Sequence, residues 1–210
     1  MIPIAGKPFL EHQINLLKRN SITDIVLCVG YRGQAIRDYF RNGETLGVSL
    51  RYSDDGDRLL GTAGALKNAR DILNDRFFVT FGDSFPVLDY KAAWNRFVAS
   101  EKLALMVVYR NLDQYDTSNT VVELGLVREY SKRRKSSGMS YVEFGVTFLQ
   151  RTTLELVPAN SPVDLEDLYR PIIESGEMAA LEVKQRIFEI GSPQGLEEFR
   201  KLAESGKILL

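Results

Sequence analysis

The chain holds one histidine, one cysteine and one tryptophan among its 210 residues. The lone cysteine, Cys28 in the apolar run Ile25-Val26-Leu27-Cys28-Val29, excludes an internal disulfide and suits a reducing compartment. With only His12, on a predicted surface helix, histidine triads and zinc sites have almost no material, so any metal chemistry must use oxygen ligands. Neither sign of charge dominates: 27 basic residues stand against 28 acidic ones, a formal net charge of −1. Bulk attraction to nucleic acid or to an anionic membrane is therefore not expected. No apolar run is long enough to span a bilayer, and the first residues lack the basic stretch and apolar core of a secretory signal. A cytoplasmic location is the expectation.

What is present reads as one domain over residues 1–210, since a chain of this length buries a substantial core and no linker or low-complexity segment interrupts it. The first half alternates helix and strand. Helices are predicted over Pro8 to Asn20, Arg32 to Asn42, Gly64 to Leu73 and Leu88 to Ser100. Strands are predicted over Asp24 to Tyr31, Val48 to Ser53, Phe77 to Phe81 and Leu103 to Arg110. That alternation implies an α/β fold with a Rossmann-like, doubly wound, mostly parallel sheet. The second half changes character. Short strands around Gly125, a longer one over Tyr141 to Leu149, and strands over Met178 to Val183 and Arg186 to Ile190 imply a small mixed or antiparallel lobe. Helices over Leu165 to Ser175 and Gln194 to Ser205 complete it.

Chemistry is suggested first by Leu60-Gly61-Thr62-Ala63-Gly64-Ala65-Leu66. A small-residue loop opening a helix can bring backbone amides close to an anionic or planar ligand; it can equally be a tight turn in which Thr62 caps the helix. Asp83, in Phe81-Gly82-Asp83, leaves the end of a buried strand, where an α/β sheet presents metal-binding groups; it is also placed to cap the next helix. Glu189, between Phe188 and Ile190, either faces solvent by strand alternation or joins Asp83. Two carboxylates converging from distant strand ends would suit Mg²⁺, which takes a few carboxylates plus phosphate oxygens. The basic run from Lys132 to Lys135 is either a solvated loop or supplies a phosphate contact from Lys132. Glu143, before Phe144-Gly145, is either a sugar-hydroxyl acceptor or an exposed strand position. Asp54-Asp55-Gly56-Asp57 reads as a surface turn.

Taken together, Ile2-Pro3-Ile4-Ala5-Gly6-Lys7-Pro8, Gly30-Tyr31, Leu60 through Leu66, Gly82-Asp83, Glu143-Phe144-Gly145 and Glu189-Ile190-Gly191-Ser192-Pro193 follow the order and spacing of the sugar-1-phosphate nucleotidyltransferases. The chain resembles most the branch of heptose- and mannose-phosphate guanylyltransferases, over essentially its whole length. The resemblance implies an enzyme of the EC 2.7.7 type in nucleotide-sugar biosynthesis, with a nucleoside triphosphate and a sugar 1-phosphate as partners and Mg²⁺ as cofactor. It implies Asp83 and Glu189 as catalytic metal ligands, Gly61, Thr62, Ala63, Gly64 and Gly82 as the nucleotide side, and Glu143, Gly145 and Lys132 as the sugar-phosphate side. Three departures accompany it. Glu189 stands where many relatives have aspartate, Ser131-Lys132-Arg133 replaces a Glu-Lys-Pro element, and the first strand with its Gly-rich, Arg-containing loop is absent. From that last departure little or no pyrophosphate-releasing activity is expected. A non-catalytic nucleotide-sensing paralogue stays open as an alternative. A glycosyltransferase is disfavoured, because Asp83-Ser84-Phe85 is not an Asp-x-Asp motif. Homo-oligomer formation is left open.

Overall fold

A computed structural model describes residues 1–56, 58–159, 161–208 and 210; Asp57, expected in the 54–57 turn, lies outside them. A small hairpin of β1 (Pro3–Ile4) and β2 (Lys7–Pro8) leads directly into helix α1 (Phe9–Arg19). There follow β3 (Asp24–Val29), α2 (Gly33–Phe40), β4 (Ser49–Asp54), α3 (Gly61–Asn68), β5 (Arg76–Thr80), a two-residue β6 (Ser84–Phe85), α4 (Tyr90–Ser100) and β7 (Ala104–Arg110). The second half holds β8 (Thr120–Glu123), β9 (Leu126–Tyr130), β10 (Tyr141–Gln150), α5 (Leu165–Glu174), β11 (Met178–Val183), β12 (Phe188–Glu189) and α6 (Pro193–Glu204). The α/β class is thus the one the alternation implies.

The larger sheet has the order β5-β10-β7-β11-β9-β8. Strand β10 runs antiparallel to both β5 and β7, and β11 runs parallel to β7. Strands β5, β7 and β11 therefore share one direction; β10 and β11, expected in the smaller lobe, stand inside this sheet, and β9 and β8 extend it antiparallel. Strands β3 and β4 make a separate parallel pair. The near-continuous apolar run of β3 suits a strand covered on both faces, whereas β4 alternates.

Between the two blocks lies a slot. The outer edges of β3 and β5 have no strand partner among the described residues, and both strands line a cavity of about 1120 Å³ along their whole length. Its floor includes Leu17 and Ile14 of α1 and the single tryptophan, Trp94, whose ring meets Phe97 and Phe148 edge-on. Met1 and Ile2 also line it.

Helices α3 and α5 cover one face of the larger sheet through Leu66, Leu165, Leu168, Tyr169 and Ile172. Helix α4 covers the other through Ala93 and Phe97. A third cluster, in which Phe9, Phe85 and Phe199 meet ring to ring, pins α1 and α6 to the β6–β12 pair. That pinning places the end of β5 beside the start of α6.

Candidate nucleotide and metal site

Asp83 follows β5 in an exposed turn whose backbone is held at three carbonyls, one of them Asp83's own. Its carbonyl accepts from the Ile190 amide at 2.8 Å. The side-chain amide of Gln13 donates to the carbonyls of Phe81 and Ser84, at 2.9 and 2.6 Å, bracketing Gly82-Asp83. Asp83 does not cap α4; Asp89 does, accepting from the Ala92 amide at 2.9 Å. The carboxylate of Asp83 is thus left to the cavity, taking only a 3.2 Å contact from the Ser84 hydroxyl.

Strand β12 pairs with β6, so Glu189 stands opposite Ser84, one residue from Asp83. The side chain does not simply face solvent. It turns toward the start of α6, where its two oxygens accept from the Ser192 amide at 2.9 Å and the Ser192 hydroxyl at 2.5 Å. The same hydroxyl accepts from the Gly195 amide at 2.9 Å and caps α6. A side chain at Gly195 would overlap the Glu189 carboxylate, which explains glycine there. A carboxylate at a helix N-terminus is favoured by the partial positive charge of that end.

The two carboxylates meet over Gly191. A Cβ atom on Gly191 would lie 2.7 Å from Asp83 Oδ2 and 3.2 Å from Glu189 Oε2. The glycine thus keeps open a small cradle walled by two acidic oxygens, a donor set that fits a hard divalent cation. Gly82, beside it, has open space where a side chain would stand.

The 61–64 loop borders the same cavity through Gly61 and Thr62, but the loop's other contacts point away from it. The amides of Ala63 and Gly64 both donate to the Val163 carbonyl, at 2.8 and 3.1 Å. Gly61 has φ near +72°, and a Cβ there would sit 2.6 Å from that carbonyl. Thr62 does cap a helix, though a different one from that expected: its hydroxyl accepts from the Leu165 amide at 2.8 Å, at the start of α5. The small residues therefore serve chiefly to let this loop dock on residues 161–165. Thr62→Val, which keeps the shape and removes the acceptor, is expected to lower stability by about 1 kcal/mol. Denaturant midpoints measure it, and a change under about 0.3 kcal/mol would show that the cap carries nothing.

The sugar-side candidates divide. Gly145, with φ near +76°, is buried at the irregularity in β10, where a Cβ would lie 2.7 Å from Ile187 and 3.2 Å from Ser84. It lets β10 close on the residue after Asp83 and is itself covered. Glu143 is buried, not exposed. Its Oε2 accepts from the Tyr130 hydroxyl at 2.5 Å and lies 3.6 Å from the Lys132 ammonium. Burial pushes its carboxyl above the usual range, against the opposing pull of Lys132 and Tyr130. Lys132 is half exposed, with its ammonium 4.3 Å from the centre of the Phe81 ring. It therefore reaches toward the Asp83 turn, whereas Arg133, Arg134 and Lys135 pair with Asp164, Glu129 and Asp113 on the surface.

Three residues here escaped sequence reasoning. Gln13 had a signal, being a polar residue on the inward stripe between Phe9 and Leu17. Tyr130 and Glu166 had none, since their partners lie 13 and 35 residues away.

Comparison with known proteins adds a second line. Residues 1–132 match the nucleotidyl transferase family. The chain is 34% identical over 135 residues to a D-glycero-alpha-D-manno-heptose 1-phosphate guanylyltransferase of Campylobacter jejuni, a match covering 63% of this chain and 58% of that protein. It is 25% identical over 193 residues to a UTP–glucose-1-phosphate uridylyltransferase of Synechocystis, covering 84% of this chain and 50% of that one. The chain thus spans about half the length of the curated relatives it matches. Among solved structures, HddC from Yersinia pseudotuberculosis superposes with a TM-score of 0.81 at 22% identity, over 98% of this chain and 88% of that one. The inositol-1-phosphate CTP transferase of T. maritima does so with a TM-score of 0.77 at 20% identity, over 98% and 86%. At those identities the superpositions establish the fold.

Proposed function

The chain belongs to the nucleotidyl transferase family, and from that premise we propose that its site transfers a nucleoside monophosphate from a nucleoside triphosphate to a sugar 1-phosphate. An oxygen of the sugar phosphate attacks the α-phosphorus in line; the new O–P bond forms as the bond from the α-phosphorus to the bridging oxygen breaks, and pyrophosphate leaves. Little proton transfer is needed, in keeping with a site that contains no histidine. The observation that carries the reading is the meeting of Asp83 and Glu189 over Gly191 at one end of the cavity. Asp83 and Glu189 would hold Mg²⁺, which when bound neutralises charge on the phosphates.

The chain's own residues supply position. Gly82 leaves room for the triphosphate, and Gly61 and Thr62 form the wall for base and ribose, held from behind by Ala63 and Gly64. On the acceptor side, Lys132 meets the phosphate, the buried Glu143 holds the Lys132 ammonium from behind, and Gly145 closes the strand beside them. The same fold in HddC has been solved with GMP-PN, which supports the nucleotide side of this reading. Among the described residues that line the cavity, the cationic side chains are Arg51 and Arg76. Arg76 starts β5, at the end away from Asp83, and Arg51, in the middle of β4, is engaged by Asp24. A triphosphate needs more positive charge than that, so turnover by this chain is expected to be weak. A pyrophosphate-release panel tests the reading: the common nucleoside triphosphates against hexose, heptose and aminohexose 1-phosphates, with Mg²⁺. Slow, metal-dependent release from one pairing is the expected result. No release from any pairing, with unchanged nucleotide binding after Asp83→Asn, would favour the nucleotide-sensing alternative.

A further inference from the structure

A lysine on an exposed loop is a poor instrument for placing a charge, because its four-carbon stem samples many rotamers. Lys132 is held at both ends. At the base of the stem its amide donates to Glu166 Oε2 at 3.2 Å, and the neighbouring Ser131 hydroxyl donates to Glu166 Oε1 at 2.8 Å. At the tip, the ammonium lies between the Phe81 ring and Glu143 Oε2. The tip is only as well placed as the carboxylate that holds it.

Glu143 is engaged unevenly. Oε2 has both the Tyr130 hydroxyl and the Lys132 ammonium. Oε1 is buried with no partner, and the hydroxyls of Thr147 and Tyr169 are likewise buried without one. Both hydroxyls lie beside Glu143 short of hydrogen-bond geometry: Thr147 already lowers its carboxyl, and Glu143 in turn raises the Tyr169 hydroxyl. The carboxylate therefore has two rival sets of donors, Tyr130 on one side and Thr147 with Tyr169 on the other. Only the first keeps its charge toward Lys132. A buried acceptor left without a donor is costly, so loss of the Tyr130 hydroxyl would turn the carboxylate to the second set.

We propose that Tyr130 is a positioning residue for Lys132: through Glu143, its hydroxyl fixes where the ammonium that meets the acceptor's phosphate sits. This rests on the reading of Lys132 as that cation, and the test separates the two. Inorganic phosphate is titrated in EDTA against the intact chain and followed by ³¹P line shape. Lys132→Ala is expected to weaken binding about tenfold, and Tyr130→Phe about threefold or more. Phenylalanine keeps the ring that stacks edge-on against Tyr169, 5.6 Å between centroids. Glu143→Gln, which keeps the shape and removes the anion, is expected to match Tyr130→Phe should that variant fold poorly. Thr147→Val is expected to leave binding unchanged, because it removes only the rival donor. The double variant Lys132→Ala with Tyr130→Phe is expected to bind no more weakly than Lys132→Ala alone. Additive losses in the double variant, or a loss in Thr147→Val equal to that in Tyr130→Phe, would overturn the positioning role while leaving Lys132 as the cation. A Lys132→Ala protein that binds phosphate normally would overturn both.

Discussion

An apolar, strand-forming peptide of six residues, tethered ahead of Met1 by a flexible linker, is expected to raise the thermal unfolding midpoint by about 10 °C or more. The slot between β3 and β5 is the reason. Six residues of β3 and five of β5 present unpaired backbone edges to the same cavity. A strand laid between them would form on the order of ten hydrogen bonds, each contributing about 0.5–1.5 kcal/mol net. It would also bury apolar surface at roughly 25 cal/mol per Å². Ordering the peptide offsets about half or more of that gain, at about 1–2 kcal/mol per residue, so a net of several kcal/mol remains. Met1 and Ile2 line the slot, which makes the tether short. A control peptide with proline at alternate positions has the same hydrophobicity but loses its donors, and is expected to give little or no shift. Equal shifts for the two peptides, or none for either, would show that the edges do not accept a strand.

Asp83→Asn is expected to weaken Mn²⁺ binding, used as a spectroscopic substitute for Mg²⁺, by about tenfold to a hundredfold and to remove any metal-dependent turnover. Asp83 Oδ2 forms one wall of the cradle over Gly191. Its side chain carries no structural hydrogen bond beyond the 3.2 Å contact from Ser84, so the thermal midpoint is expected to stay within about 2 °C. Glu189→Gln is the less clean variant. It also disturbs the acceptors for Ser192 at the start of α6, and both affinity and stability are expected to fall. Electron paramagnetic resonance titration of Mn²⁺ reads the first effect and calorimetry the second. Wild-type Mn²⁺ affinity in Asp83→Asn would remove the two carboxylates from consideration as a metal site.

Much of the α/β half was legible because its elements are defined locally. The stripe of α1, the apolar run of β3 and the break at Gly82-Asp83 each depend on residues within a few positions of one another. The pairing of Asp83 with Glu189 was legible only as an expectation, since 106 positions separate them and non-local contacts, the β6–β12 bridge and the Ile190–Asp83 hydrogen bond, bring them together. The part that was not legible is the direction of side chains in the second half. Strand β10 is buried nearly throughout, so alternation gave no sign that Glu143 points inward, and the irregularity before Thr147 shifts the phase again. The small residues at 61–64 invited a ligand-binding reading. What they face is Val163, a partner 99 to 102 positions away, and no local pattern reports a contact of that span.

The single tryptophan has a practical consequence. Trp94 is half buried, with its indole against Phe97 and Phe148 and one side facing the space between the two sheet blocks. An indole's emission shifts to shorter wavelength as water leaves its surroundings. The protein thus carries its own fluorophore at the wall of that space, and occupancy can be followed by light without a label or a substitution.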